Sequence, residues 1–127
     1  MTTKYVSTSG SDSGTGDTGD RWATLTFAIG SAQGLGAGDT IIVEDGTYDE
    51  NITWPLGGAK GTDFGSNVLT IKAETSQAVI RPTGTGNRCL TISGAFEYIE
   101  FQNFKFDLSA ATKTASNDCV KVTGGAH

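Results

Sequence analysis

Short runs of alternating apolar and polar residues dominate the chain from Gly38 onward. Four of these runs have aliphatic residues at their second and fourth positions, and they begin at Thr40, Val68, Cys89 and Cys119. Runs of this length, rich in β-formers and bounded by Gly, Asn, Asp and Thr, are typical of β-strands. Their starts are 21 to 30 residues apart, a spacing that indicates a repeat architecture.

The segments 87–94 and 117–124 match best, because they share Asn, Cys and Gly at an offset of 30 residues. A further strand is predicted after each of the first three repeats, at 51–54, 78–81 and 98–101. Asn103 then interrupts the alternation, as a single left-handed residue at a corner would. Alternation turns one side of each repeat inward, and the four repeats are predicted to stack about 4.8 Å apart. The inward residues are Ile41/Val43, Leu69/Ile71, Leu90/Ile92 and Val120/Val122.

This pattern predicts an all-β fold, a parallel β-solenoid of about three coils. An antiparallel β-sandwich is the alternative, since it also has short strands and frequent turns. A sandwich does not require an in-register repeat. A solenoid does, because each coil can bury its apolar face only against a similar neighbour.

The residues before the repeats have a different pattern. A short strand is predicted at 4–7, and the loop at 9–20 contains only Gly, Ser, Thr and Asp. Apolar residues then recur with helical spacing from Leu25 to Ala32, with Thr24 as the N-cap and Gly34 as a stop. We therefore expect one short amphipathic helix before the coils.

Composition and charge restrict the classes of molecule that the chain is expected to bind. The chain has 127 residues, which suits one domain or part of one, and its formal net charge is −5. A chain with net negative charge is repelled by nucleic acid and by anionic lipid, so we expect it to bind neither. No apolar run approaches the roughly 20 residues of a membrane helix. The first residues also lack the apolar stretch of a secretory signal peptide.

The N-terminal third resembles a known family. The segments that carry the resemblance are Tyr5-Val6-Ser7, Gly10-Ser11-Asp12, Trp22-Ala23-Thr24-Leu25, Gly38-Asp39-Thr40-Ile41-Ile42-Val43 and Gly46-Thr47-Tyr48-Asp49-Glu50. They look like the N-terminal entry of right-handed parallel β-helix (pectate-lyase-like) proteins, which include polysaccharide lyases and phage tail spikes. The resemblance implies that residues 1–38 form an N-terminal cap and that 39–127 form the β-helix coils. It is close over 5–50 and generic for the later coils.

The end of the chain suggests a fragment. If 87–94 and 117–124 are equivalent, the chain stops at the turn before the next strand. A solenoid needs a cover at both ends. We therefore expect a truncated β-helix whose open end is covered by further coils or by a second copy in a homo-oligomer.

The acidic loop is a candidate calcium site. Asp12, Asp17 and Asp20 offer carboxylate oxygens near flexible glycines, which suits Ca²⁺. They lack the spacing of an EF-hand, so a solvated loop with Asx-turns is the alternative. Calcium is the one cofactor that the residues suggest.

Three residues are candidates for carbohydrate binding. Trp54 could stack on a sugar ring, although its parity with Ile52 favours core packing, and core packing is also the better reading of Trp22. Lys72 and Lys121 point outward by alternation. They could contact a polysaccharide, but an ordinary exposed ion pair of Lys72 with Glu44 is the alternative.

The two cysteines occupy the same position on successive coils. We expect Cys89 and Cys119 to point outward with Cα atoms about 5 Å apart, within the range for a disulfide. Stacked free thiols are the alternative, because parallel side chains make the disulfide torsion awkward.

Two functions follow from these expectations. The first is a non-catalytic β-helix module of a phage tail-spike-like or surface protein, a virion or extracellular rod that recognises glycans. The second is the N-terminal part of a polysaccharide lyase that acts by β-elimination on uronate polymers. Elimination needs a base and a positive charge. No catalytic residue can be assigned in this chain, because the resemblance places the active residues of such lyases on later coils.

Overall fold

The structure is a computed structural model that describes residues 1–55, 57–92, 97–113 and 119–122, with the backbone alone for 121 and 122. It is mostly β, with very little helix. In chain order the elements are β1 (Thr3–Val6), α1 (Leu25–Ala28), a 3-10 turn (Ser31–Gln33), β2 (Thr40–Val43), β3 (Gly46–Tyr48), β4 (Ile52–Thr53), β5 (Leu69–Ala73), β6 (Ala78–Ile80), β7 (Gly84–Thr85), β8 (Leu90–Ile92), β9 (Ile99–Gln102), β10 (Phe104–Phe106), β11 (Ala111–Thr112) and β12 (Val120–Val122). Among these elements, no helix is long and apolar enough to cross a membrane.

The strands form four parallel sheets. Sheet 1 has the order β1-β2-β5-β9, sheet 2 β10-β6-β3, sheet 3 β11-β7 and sheet 4 β12-β8-β4. Every pairing between these strands is parallel. The chain visits the sheets in the same order on each pass, from β2 to β4, from β5 to β8 and from β9 to β12. The predicted parallel repeat is confirmed, and the antiparallel sandwich is wrong for the described strands.

The predicted stacking of the four repeats is only half right. Ile41 pairs with Ile71, which in turn pairs with Phe101, all in sheet 1. Leu90 instead lies in sheet 4, between Ile52 and Val120. The repeats that begin at 40 and 68 therefore belong to one column, and those at 89 and 119 belong to another. Both columns face the same interior, so their alternation looks identical in the sequence.

Most of the residues predicted to face the interior are buried. Ile41, Val43, Leu69 and Ile71 are fully buried, and Leu90 and Ile92 are nearly so. Val120 does not follow the prediction, because 42% of it is exposed on the last described strand, and the side chain of Val122 lies outside the described residues. Each buried side chain contributes about 1.5–3 kcal/mol of burial. The corner between β9 and β10 is made by Asn103, whose φ of 60° confirms the predicted left-handed residue.

The N-terminal region confirms the strand and the helix start but not the helix length. The Oγ1 atom of Thr24 accepts a hydrogen bond from the Phe27 amide at 3.1 Å, as the N-cap prediction required. The α-helix ends at Ala28 rather than continuing to Ala32, because Gly30 is extended, with ψ of 150°. A 3-10 turn follows and ends at Gly34 in the left-handed region. The helix packs its buried face against β1 and β4.

Polar side chains in the turns join successive passes of the chain. Asp45 accepts hydrogen bonds from the amides of Thr75 and Ser76, and Asp49 accepts two from Thr83. The bonds from Thr83 hold the pKa of the Asp49 carboxyl below its usual value. These carboxylates satisfy turn amides that no strand partner reaches.

Candidate functional site

A polar cleft of about 380 Å³ lies where the strands of sheet 1 end. Ser7 follows β1 and Glu44 follows β2, so their side chains meet at the same edge of the sheet. The Gly- and Ser-rich loop closes the other side. The loop contributes Ser9, Gly10, Thr18 and Gly19, and Arg21 directly follows it.

Arg21 is the centre of this cleft. Its NH1 and NH2 groups donate to the two carboxylate oxygens of Glu74 at 2.6 and 3.0 Å, and its Nε donates to the Thr18 carbonyl at 3.1 Å. The Glu44 carboxylate lies 3.5 Å from NH1. The guanidinium also covers the ring of Tyr5, 5.0 Å from its centroid. Bidentate pairing of this kind fixes the side chain in one orientation.

The charges of the cleft disfavour an anionic ligand. Arg21 is matched by two carboxylates, so the group as a whole carries one negative charge. Glu44 keeps 40% of its side chain exposed, and it can accept hydrogen bonds from a ligand. The hydroxyls of Ser7 and Ser9, 3.0 Å apart, both donate and accept. The cleft therefore suits a neutral molecule that carries hydroxyl groups.

Two neighbours hold the cleft in shape. The Tyr48 hydroxyl donates to the Glu44 carbonyl at 2.7 Å, and burial raises the pKa of that hydroxyl. Gly10 lies so close to the chain that a Cβ there would come within 2.2 Å of the Trp22 carbonyl oxygen. Any other residue at this position would push the loop away from the sheet.

The Arg21–Glu74 ion pair should make the free energy of unfolding depend on pH in the acidic range. Hydrogen bonding from Arg21 lowers the pKa of Glu74 from its usual 4.5. A lowered folded-state pKa stabilises the fold above the usual value, and this stabilisation is lost as the pH falls through the lowered pKa. In urea unfolding, the stability difference between wild type and Glu74→Gln should therefore shrink from pH 7 to pH 3. A difference of the same size at both pH values would contradict this assignment. Glu100→Gln, where the carboxylate accepts from Gln102 instead, is the control.

The predicted calcium ligands are not brought together. Asp12 accepts hydrogen bonds from Ala23 and Thr24 beside the start of α1. Asp17 forms an ion pair with Lys4 at 2.9 Å, which lowers the pKa of its carboxyl, and Asp20 accepts from the Thr15 amide. Within the part of the chain that the structure describes, no three His, Cys, Asp or Glu side chains could share a metal ion. Asp12 therefore joins the loop to the start of α1, Asp17 joins it to β1, and Asp20 stabilises the loop itself.

Trp54 does not offer its ring to a sugar. Only 2% of the residue is exposed, and its Nε1 donates to the Ala59 carbonyl at 2.9 Å inside the fold. The proposed role in carbohydrate binding is corrected, because a stacking platform has to be exposed. Trp22 is buried as well, and its Nε1 donates to the Gly14 carbonyl. Core packing was the right interpretation of both.

Of the two lysine candidates, Lys72 does not line the cleft. Lys72 lies in register with Ile42 and Gln102 on sheet 1, two residues before the position of Glu44. The predicted pair of Glu44 with Lys72 is wrong, because Glu44 contacts Arg21. The side chain of Lys121 lies outside the described residues, so its role stays a prediction.

The two cysteines are in register, as predicted, and both are free thiols. Their Sγ atoms are 3.0 Å apart. The expectation that both point outward is wrong for Cys89, which is fully buried; Cys119 is partly exposed. Burial and the neighbouring thiol raise the pKa of Cys89 to about 12.

An aromatic pair, one exposed and one half-buried, lies at the opposite end of sheet 1 from the cleft. Phe64 is 75% exposed, and its ring meets that of Tyr98 edge to face, 4.9 Å between centroids. Tyr98 has a φ of 52° and accepts a hydrogen bond from the amide of Leu69, the first residue of β5. Neither this pair nor the Arg21 cluster was predicted from the sequence. The one available signal for the cluster was the 30-residue offset between Glu44 and Glu74.

Comparisons with protein-family models and with curated proteins give no match. Among solved structures, the chain is similar to the complex of XylC with xylose, with 34% sequence identity and a TM-score of 0.52. The similarity covers 62% of this chain and 11% of the XylC chain. The matched region is thus a small part of that longer protein.

Proposed function

We propose that this chain is the N-terminal module of a right-handed parallel β-helix protein that binds carbohydrate. Three ordered passes through parallel sheets around an aliphatic interior support the β-helix. A right-handed course agrees with the general preference of parallel crossovers. The observation that carries the carbohydrate assignment is the likeness, in both sequence and fold, to XylC in complex with xylose.

A neutral sugar fits the cleft better than a uronate. The Arg21 charge is already neutralised by Glu44 and Glu74, so a sugar carboxylate would gain little and would face a net negative group. Sugar hydroxyls can instead donate to Glu44 and exchange hydrogen bonds with Ser9, which the buried Ser7 hydroxyl holds in position. Xylose, a neutral pentose, has this chemistry.

The same charges favour a non-catalytic module over a lyase. Elimination from a uronate needs a positive charge that stabilises the developing enolate, and here Arg21 is engaged by its own carboxylates. A glycan-binding rod on a virion or outside the cell, as in tail spikes, needs only a rigid surface with such a cleft. The N-terminal part of a polysaccharide lyase remains the second candidate. Release of unsaturated uronates from acidic polysaccharides, followed by ultraviolet absorbance, would support it.

Titration with xylose and with glucuronate, followed by NMR chemical shifts, tests the proposal. We expect xylose and short xylo-oligosaccharides to bind, and glucuronate to bind at least about tenfold more weakly, a difference of about 1.4 kcal/mol. Glu44→Gln should weaken xylose binding about five- to tenfold, because it removes a charged acceptor while keeping its shape. Shift changes should centre on Ser9, Gly10 and Gly19.

Two matched variants locate the site. Glu100→Gln changes an exposed carboxylate on the same sheet, away from the cleft, and should leave xylose binding unchanged. Phe64→Ala removes the exposed aromatic ring at the other end of sheet 1. Binding that survives Glu44→Gln but is lost in Phe64→Ala would move the sugar to the aromatic pair. Absence of binding to every neutral sugar tested would overturn the proposal.

A further inference from the structure

Two cysteine thiols on successive passes of the chain are joined by a hydrogen bond. Cys89 and Cys119 immediately precede β8 and β12, which pair in register in sheet 4. The Cys89 amide donates to the Cys119 carbonyl at 3.0 Å, so the two backbones are fixed at the spacing of neighbouring strands. That spacing, about 4.8 Å, lies within the Cα separation that a disulfide spans. The thiol of Cys119 donates to the sulfur of Cys89 at 3.0 Å.

We propose that Cys89 and Cys119 are an oxidisable pair, which a small-molecule disulfide such as oxidised glutathione converts into a covalent link between successive coils. In the first step a thiolate of the protein attacks the small disulfide, forms a mixed disulfide and releases one thiol. In the second step the other cysteine loses its proton, attacks the protein sulfur of the mixed disulfide and releases the second thiol. The protein loses two electrons and two protons, and the small disulfide gains them.

The surroundings of the two residues set the order of these steps. Cys119 is partly exposed and can meet a small disulfide, whereas Cys89 is fully buried and cannot. Cys119 is therefore the attacking residue and Cys89 the resolving one. The raised pKa of Cys89 makes the second step slow at neutral pH, since the thiolate is the nucleophile.

The link would stabilise the last described coil. It ties together residues 30 positions apart, and such a loop loses conformational freedom in the unfolded chain. The strands that it joins, β8 and β12, pair over only three residues. Oxidation should therefore raise the melting temperature by roughly 5–10 °C.

Incubation of the whole chain with oxidised glutathione or with dithiothreitol tests the proposal. Intact-mass spectrometry should show the loss of two hydrogens and no free thiol after oxidation, and the oxidised form should melt at the higher temperature. Cys89→Ser should trap a stable glutathione adduct on Cys119. Cys119→Ser should gain no adduct while folded, and neither single variant should melt differently in the two conditions.

Other results would contradict the proposed link or the proposed order of attack. Wild-type protein that keeps both thiols in excess oxidised glutathione, or that forms only intermolecular dimers, would overturn the link. Adduct formation on Cys119→Ser to the same extent as on Cys89→Ser would overturn the order of attack. Cys119→Ala is a second variant for this test, because that side chain is partly exposed and its truncation leaves the fully buried Cys89 in place.

Discussion

Replacing Trp54 with alanine is expected to lower the free energy of unfolding by about 3–5 kcal/mol. The indole is almost fully buried and meets the ring of Phe101 edge to face, 6.2 Å between centroids. It also donates to the Ala59 carbonyl, which would lose this donor inside the fold. Trp54→Phe should cost roughly half as much, since it keeps an aromatic ring and loses the hydrogen bond.

Urea unfolding followed by circular dichroism measures this effect. Phe64→Ala is the matched control, because it also truncates an aromatic residue, but one that is largely exposed; it should change stability by less than about 0.5 kcal/mol. Trp54→Phe should bind xylose as wild type does. A Trp54 variant with unchanged stability and lost sugar binding would restore the predicted stacking role and contradict the assignment to the core.

The parallel fold could be predicted because each pass of the chain through the sheets repeats the same alternation of apolar and polar residues. Alternating aliphatic residues identify the strands, and the offset of 30 residues between Leu90 and Val120 gave their true register. The columns could not be separated in this way. Ile41 and Leu90 both point into the same interior, and nothing in their alternation tells which wall of the fold each belongs to.

The candidate site could not be predicted from the sequence because its residues come from segments that are far apart in the chain. Arg21 binds Glu74 across 53 residues, and the contact depends on the fold of the loop before Trp22. The same loop contains the aspartates predicted to bind calcium, yet Asp12 accepts from the amides of Ala23 and Thr24 before α1, and Asp20 accepts from the Thr15 amide within the loop. Carboxylates beside glycines are as useful for satisfying exposed amides as for holding an ion, and composition does not distinguish the two uses.

Replacing Glu50 with alanine is expected to cost about 2–4 kcal/mol of unfolding free energy. Glu50 is the one charged residue that is buried in the described part of the chain, 7% exposed. Its two oxygens accept from the amide of Leu25 at 3.0 Å and from the amide and hydroxyl of Thr26 at 2.9 and 2.8 Å. The carboxylate thus satisfies the first turn of α1 from the segment after β3. Alanine would leave these donors unpaired in a region where water does not readily replace the lost oxygens.

Asp45→Ala is the matched control for burial. Asp45 also accepts from two backbone amides, those of Thr75 and Ser76, but all three residues lie in turns where water can take over. We expect it to cost less than about 1 kcal/mol. The cost of Glu50→Gln should fall between those of Glu50→Ala and Asp45→Ala, because the amide keeps one oxygen.

Hydrogen exchange adds a local readout. Glu50→Ala should speed exchange of the Ala28 and Ile29 amides, which bond within the helix. Equal costs for the Glu50 and Asp45 variants would mean that the helix start is accessible to water, and the cap would then depend on packing of Leu25 and Ile29 rather than on this carboxylate.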